Sequence, residues 1–136
     1  MVSDTEQAAG LYISTFSGRS DAYSIWSGEQ WVATRKPLTP EVVIKAFTTK
    51  VPVSAYVLSP DSTTHLAMLD IDREYGMALG RKVAATLNGL GGIGYLEASR
   101  RGCHFWILMD ATRPAVLIRR ALRGLIAEAK LPPCPG

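Results

Sequence analysis

Apolar and polar positions fall into short, turn-punctuated segments up to Lys50, and into longer apolar runs from Val51 onward. Ser3-Asp4-Thr5-Glu6 predicts a helix running to about Ser14, with Ser3 as cap and Glu6 three residues on to complete a capping box. Phe16 to Asp21 is rich in turn residues. The β-prone runs Ala22–Trp26 and Trp31–Thr34, split by Ser27-Gly28-Glu29-Gln30, predict a hairpin. Thr39-Pro40-Glu41 opens a short helix to about Phe47, with proline at its first position. Val53–Leu58 and Thr64–Asp72 read as neighbouring strands joined by Ser59-Pro60-Asp61-Ser62. Glu74–Asn88 reads as a helix, weakened by Gly76 and Gly80 and ended by Gly89, Gly91 and Gly92. Ile93–Ser99 and Cys103–Met109 are two more strands around Arg100-Arg101-Gly102, and Thr112 is expected to cap a last helix to about Lys130. Leu131–Gly136, with three prolines, can neither continue that helix nor pair in a sheet.

This order predicts an α/β (α+β) chain. An N-terminal helix-hairpin-helix module (residues 1–50) precedes an RRM-like, mainly antiparallel sheet (51–130) with helices on one face, and a tail (131–136) follows. At 136 residues the whole is expected to form one compact domain. The net charge of +3 leans toward nucleotide or nucleic-acid partners without requiring them. Cys103 and Cys134 are far apart and form no CxxC pair, so two free thiols in a reducing compartment are expected. No secretory signal and no bilayer-length apolar run is present, which predicts a soluble, cytoplasmic protein with no membrane partner.

The sharpest chemistry lies in His65-Leu66-Ala67-Met68-Leu69-Asp70-Ile71-Asp72. Strand side chains alternate, so Asp70 and Asp72 share a face, roughly 6.6 Å apart along the backbone, whereas His65 takes the other face. Two carboxylates closing an apolar strand repel one another unless a cation joins them, and oxygen ligands suit Mg²⁺ or Mn²⁺. Such ions can clamp an in-line phosphoryl transfer. The bland alternative makes Asp72 a helix cap and Asp70 a solvated strand end. A glycosyltransferase-type Asp-x-Asp is a further alternative.

The second motif is Glu97-Ala98-Ser99-Arg100-Arg101-Gly102-Cys103-His104-Phe105-Trp106. Ser99 and His104 can hydrogen-bond phosphate or sugar oxygens, Arg100 and Arg101 supply charge, and Gly102 permits close backbone approach or a positive φ. Beside the Asp70 strand, this turn becomes a triphosphate cradle. Alternatively it is an ordinary solvated turn with His104 half buried in a sheet. Trp106 and Leu108 share the His104 face and serve equally well as core.

Hydrophobic-Asp-hydrophobic-Asp on a strand, followed by Ser-x-x-Gly-x-His, resembles the archaeo-eukaryotic primase superfamily of primase-polymerases. Phe16-Ser17-Gly18-Arg19-Ser20-Asp21-Ala22-Tyr23 is similar to an N-terminal motif of its TOTE conflict-system branch, and the likeness spans about residues 15 to 128. The resemblance implies template-directed nucleotide transfer from an NTP or dNTP to a 3′-hydroxyl on a single-stranded template. It implies Asp70 and Asp72 as metal ligands, and Asp70, Asp72 and His104 as the catalytic set. Ser99, Arg101, Gly102 and His104 would contact nucleotide, and Arg19 nucleotide or template. Glu97 falls at the family's position before the serine and receives no role. The family's third carboxylate, on a later strand, has no counterpart; Asp110 is expected merely to end its own strand. The early cysteine cluster of that branch is also missing. The chain therefore looks like a C-terminally truncated chain, a split polypeptide or a reduced, inactive relative, with a helicase or a further domain expected to complete its site.

The last predicted helix carries Leu117, Ile118, Ala121, Leu122, Leu125, Ile126 and Ala129 on one side. Arg113, Arg119, Arg120, Arg123 and Lys130 lie opposite. The basic side is either a solvated face or a template track. Two further readings stay open: a catalytically silent nucleic-acid-binding remnant of the primase fold, and an Asp-x-Asp glycosyl- or phosphotransferase.

Overall fold

A computed structural model describes residues 1–133, so Cys134 and the end of the proline-rich tail lie outside the described residues. Over the described residues the fold is mixed α/β, with four helices and two three-stranded sheets. It divides into two compact units, Met1–Thr64 and the residues from His65 on.

In the first unit, α1 (Asp4–Phe16) starts as its sequence dictates. Ser3 Oγ accepts the Glu6 N–H at 3.2 Å, and the Ser3 N–H donates back to the Glu6 carboxylate at 2.9 Å. This reciprocal cap satisfies donors that no helical carbonyl can reach. Ser3→Ala is expected to destabilise the protein by about 1 kcal/mol, read as a lowered thermal midpoint; an unchanged midpoint would show the cap to be unimportant. Strands β1 (Tyr23–Trp26) and β2 (Trp31–Thr34) form an antiparallel hairpin with Trp26 opposite Trp31. Then follow α2 (Pro40–Thr49), with proline in its first turn, and β3 (Val53–Ala55). Ala9, Tyr23, Leu38 and Val43 make the buried core of this unit.

One expected pairing is corrected here. Val53–Leu58 does not run beside the Asp70 strand; β3 pairs antiparallel with β1, giving the order β2-β1-β3. Three contacts between residues far apart in the chain commit the segment to the hairpin. The Trp26 N–H donates to Pro52 O at 3.0 Å, the Gly18 N–H donates to Tyr56 O at 2.7 Å, and the Ser24 and Tyr56 hydroxyls meet at 2.7 Å. The Ser59–Ser62 turn forms as expected, its N–H groups bonding to Thr63 O and Ser59 O.

The second unit contains β4 (Thr63–Ile71), whose first residues precede the division, α3 (Gly76–Gly89), β5 (Tyr95–Ala98), β6 (Cys103–Pro114) and α4 (Ala115–Glu128). β6 lies between β4 and β5, and it pairs antiparallel with β5. Alternation divides the sheet's faces. Ile71, Cys103 and Phe105 are buried with Val83 of α3 and with Leu125 and Ala129 beside α4's end, while Leu69, Leu96 and Ile107 pack against them. Asp70, Glu97, His104, Trp106 and Leu108 must then take the opposite face. That face is not open along its length: Leu66 is buried, and exposure begins at Met68 and rises at Asp70.

Gly76 and Gly80 cost helix propensity, yet both are contact points. A Cβ on Gly80 would lie 2.5 Å from Cys103 Sγ and 2.7 Å from Leu96, and one on Gly76 would lie 2.7 Å from Gly102 Cα and from Ile71 O. Bare backbone at these positions brings α3 close onto the sheet.

Two further expectations are corrected. Thr112 is no cap: β6 continues through it to Pro114, and α4 begins at Ala115 without a side-chain cap. The residue before proline is driven toward extended backbone, so helix cannot start until Pro114 is passed. For the same reason Asp110 does not end its strand; it is 94% exposed on β6, 3.8 Å from Arg113. The expected apolar side of α4 is also only partly covered. Leu125 and Ala129 are buried, while Leu117 and Ala121 remain exposed beside an apolar groove of about 440 Å³.

Candidate active site

Two polypeptide ends meet at the hairpin end of the second sheet. β4 delivers Asp70 and then Asp72 just past its last residue, and the β5–β6 turn delivers Ser99 through Gly102. The turn is closed by the Ser99 N–H donating to Gly102 O at 3.1 Å. Gly102 does not have positive φ; its role is close approach, because a Cβ there would overlap the Ile71 carbonyl. Close backbone contact at Ile71, between the two aspartates, sets how near the acidic strand end and the basic turn can lie.

As a result, Asp70, Asp72, Ser99, Arg100, Arg101 and His104 line one polar depression of about 270 Å³. An Arg101 guanidinium nitrogen sits 2.6 Å from Asp72 Oδ2, and His104 Nε2 lies 3.9 Å from Asp70 Oδ1. Asp72 therefore faces the turn instead of capping α3, which starts after Tyr75 with no side-chain cap. Asp70 is 57% exposed and His104 30%, leaving both accessible from solvent. Arg19 belongs to the first unit. There it forms a bidentate pair with Asp21 at 2.6 and 2.8 Å, which holds the Asp21 carboxyl below the usual carboxylate range, and its guanidinium carbon lies 6.0 Å from the Tyr56 ring centroid.

Sequence reasoning assigned nothing to Glu97. In the structure it stands directly across the strand pair from His104. Its Oε2 accepts the Trp106 indole N–H at 2.7 Å and lies 3.1 Å from His104 Nδ1. Those two contacts, the indole first, hold its carboxyl below the usual range. Their contribution is thus present above the ordinary glutamate pKa and is lost as pH falls through the lowered one. The signal was available in the spacing: Glu97 and His104 are equidistant from the turn, so a hairpin must set them opposite one another.

Could the site hold a divalent cation? Among the described residues no group of three or more His, Cys, Asp or Glu side chains is placed to hold a metal. Asp70 and Asp72 alone suit Mg²⁺ or Mn²⁺ when phosphate oxygens and water complete the shell, which is how Mg²⁺ commonly binds at phosphate-handling sites. Cys103 is buried; its thiol donates to Gly76 O at 3.2 Å, and burial pushes its pKa up, so it belongs to the core. No helix among the described residues is long and apolar enough to cross a membrane.

A carboxylate pair facing a basic, hydroxyl-bearing turn offers oxygen ligands to a hard cation and hydrogen-bond donors to anionic oxygens. A family model described as the archaeo-eukaryotic primase domain of the TOTE conflict system matches residues 28–132. The chain belongs to this family of primase-type nucleotidyltransferases. No curated protein matches it.

Proposed function

We propose that this domain binds a nucleoside triphosphate and transfers its nucleotide to a 3′-hydroxyl on a single-stranded nucleic-acid template. One observation carries the reading: Asp70 and Asp72 share a single solvent-facing depression with Ser99, Arg101 and His104. The order β4-α3-β5-β6-α4 supports it, matching the β-α-β-β-α part of an RRM-like sheet. Asp70 and Asp72 would hold Mg²⁺ or Mn²⁺, which when bound supplies positive charge to the triphosphate and acidifies an attacking hydroxyl. Arg101 contributes a charged fork for phosphate oxygens, and Ser99 a hydroxyl donor. His104 meets the nucleotide through the ring nitrogen nearest Asp70. Gly102 keeps the turn close enough for all of these to reach one ligand. Arg19 stays a candidate nucleotide or template contact once its pairing with Asp21 is exchanged.

Titration calorimetry with a non-hydrolysable triphosphate, alongside primer extension on a single-stranded template, tests the reading. Binding is expected with Mg²⁺ or Mn²⁺ and not with chelator, and extension is expected to follow binding. Metal-independent affinity would overturn it. The presence of only two site carboxylates among the described residues favours a second reading, a nucleic-acid-binding domain of this family without catalysis. Template binding with a steep salt slope and no response to metal would select that alternative.

A further inference from the structure

We propose that Glu97 is a positioning residue for His104, which it holds with the proton on Nδ1 and Nε2 turned toward Asp70 and the polar depression. The inference deepens the nucleotide-binding reading and rests on it for its functional meaning. Geometry carries it. Glu97 and His104 are directly paired across β5 and β6, so their side chains leave the sheet side by side on the same face. A single oxygen, Glu97 Oε2, is 3.1 Å from His104 Nδ1 and accepts the Trp106 indole N–H at 2.7 Å.

An ionised carboxylate can only accept hydrogen bonds, and an indole nitrogen can only donate. The proton between Glu97 and His104 must therefore sit on Nδ1. Trp106 stands two residues beyond His104 on β6, its ring edge-on to the imidazole with centroids 5.9 Å apart. Its N–H fixes the Glu97 carboxylate from one side, which leaves Glu97 a defined point from which to hold the imidazole. With Nδ1 so engaged, the free nitrogen is Nε2, which lies 3.9 Å from Asp70 Oδ1 at the edge of the depression. A histidine supported in this way presents one chosen nitrogen to a ligand, and outer partners of this kind set both tautomer and ring orientation.

Imidazole ¹⁵N shifts of the full chain, recorded at a pH where imidazoles are neutral, read the tautomer without any nucleotide. Wild-type His104 is expected to show a protonated Nδ1 and a bare Nε2. In Glu97→Ala the population should move toward the Nε2–H form that histidine prefers in water, and Glu97→Gln, which keeps an acceptor oxygen, should return part of the wild-type signature. Glu97 is exposed, so these variants leave the fold in place. A wild-type ring already in the Nε2–H form, or a spectrum identical in Glu97→Ala, overturns the proposal. Metal-dependent triphosphate affinity, measured in parallel, should fall about fivefold in Glu97→Ala, the loss expected for one hydrogen bond, and recover partly in Glu97→Gln. Unchanged affinity in Glu97→Ala, with the wild type binding, would also overturn it. Absent affinity in the wild type, with the ¹⁵N signature present, would instead overturn the nucleotide-binding reading alone.

Discussion

Asp70→Ala is expected to abolish the proposed metal-dependent triphosphate binding and to leave the unfolding midpoint where it was. Both halves follow from the surroundings of the side chain. Asp70 is 57% exposed, and His104 Nε2 lies 3.9 Å from its Oδ1, too far for a hydrogen bond. Truncation therefore strands no buried partner, and it relieves repulsion from Asp72. The binding effect is far larger, because half of the carboxylate pair goes. A cation's stabilisation of phosphate charge is worth several kcal/mol, so affinity should drop by more than about 100-fold. Asp110→Ala is the matched control: an acid on the neighbouring strand, 94% exposed and outside the depression. Calorimetry with and without Mg²⁺ decides the matter. Equal losses in the two variants, or retained affinity in Asp70→Ala, would remove Asp70 from any metal-binding role.

Gly102→Ala is expected to damage both stability and the site. The added methyl would land on the Ile71 carbonyl, and backbone cannot swing aside as a long side chain can. Relief requires the turn to lift away from the end of β4 and from Gly76, whose own Cα side faces Gly102. A cost near the top of the ~1–3 kcal/mol range for overpacking is expected. For a chain of this size that lowers the thermal midpoint by roughly 10 °C. The same displacement moves Arg101 and His104 away from the two aspartates, so triphosphate affinity should fall even at temperatures where the variant is folded. A variant with wild-type midpoint and affinity would show that the contact at Ile71 does not govern the site.

Much of this was legible in the chain because the signals were local. The capping box at Ser3 and Glu6, the Trp26–Trp31 hairpin and proline at the start of α2 each follow from a few adjacent residues. Strand parity grouped Asp70 with Asp72 and, separately, His104 with Trp106 and Leu108, and the motif spacing put Ser99 and Gly102 in one turn; that the two groups line one depression depended on the turn lying beside the Asp70 strand. What failed was non-local or decided by competition. Val53–Leu58 has ordinary strand character, and nothing in its own residues reveals that Gly18, Ser24 and Trp26 would claim it for β1. At Thr112 two rules conflicted, and the extended backbone demanded before Pro114 won over the capping preference of threonine. Gly76 and Gly80 were read by helix propensity alone, which cannot register a neighbouring strand pressing against the missing side chain. Glu97 was overlooked because its meaning lies in a partner seven residues away.

The contact between Arg101 and Asp72 has a consequence for how occupancy begins. Arg101 is 70% exposed, so its 2.6 Å pairing with Asp72 is made in water, where such pairs contribute about 0–1 kcal/mol. On the proposed nucleotide-binding reading, a guanidinium held that loosely would act as a counter-ion to Asp72 that a denser positive charge could displace at little cost. Once evicted, the same side chain is freed beside the place where anionic oxygens would arrive. On that reading cation and anion would trade partners in one exchange of side-chain contacts.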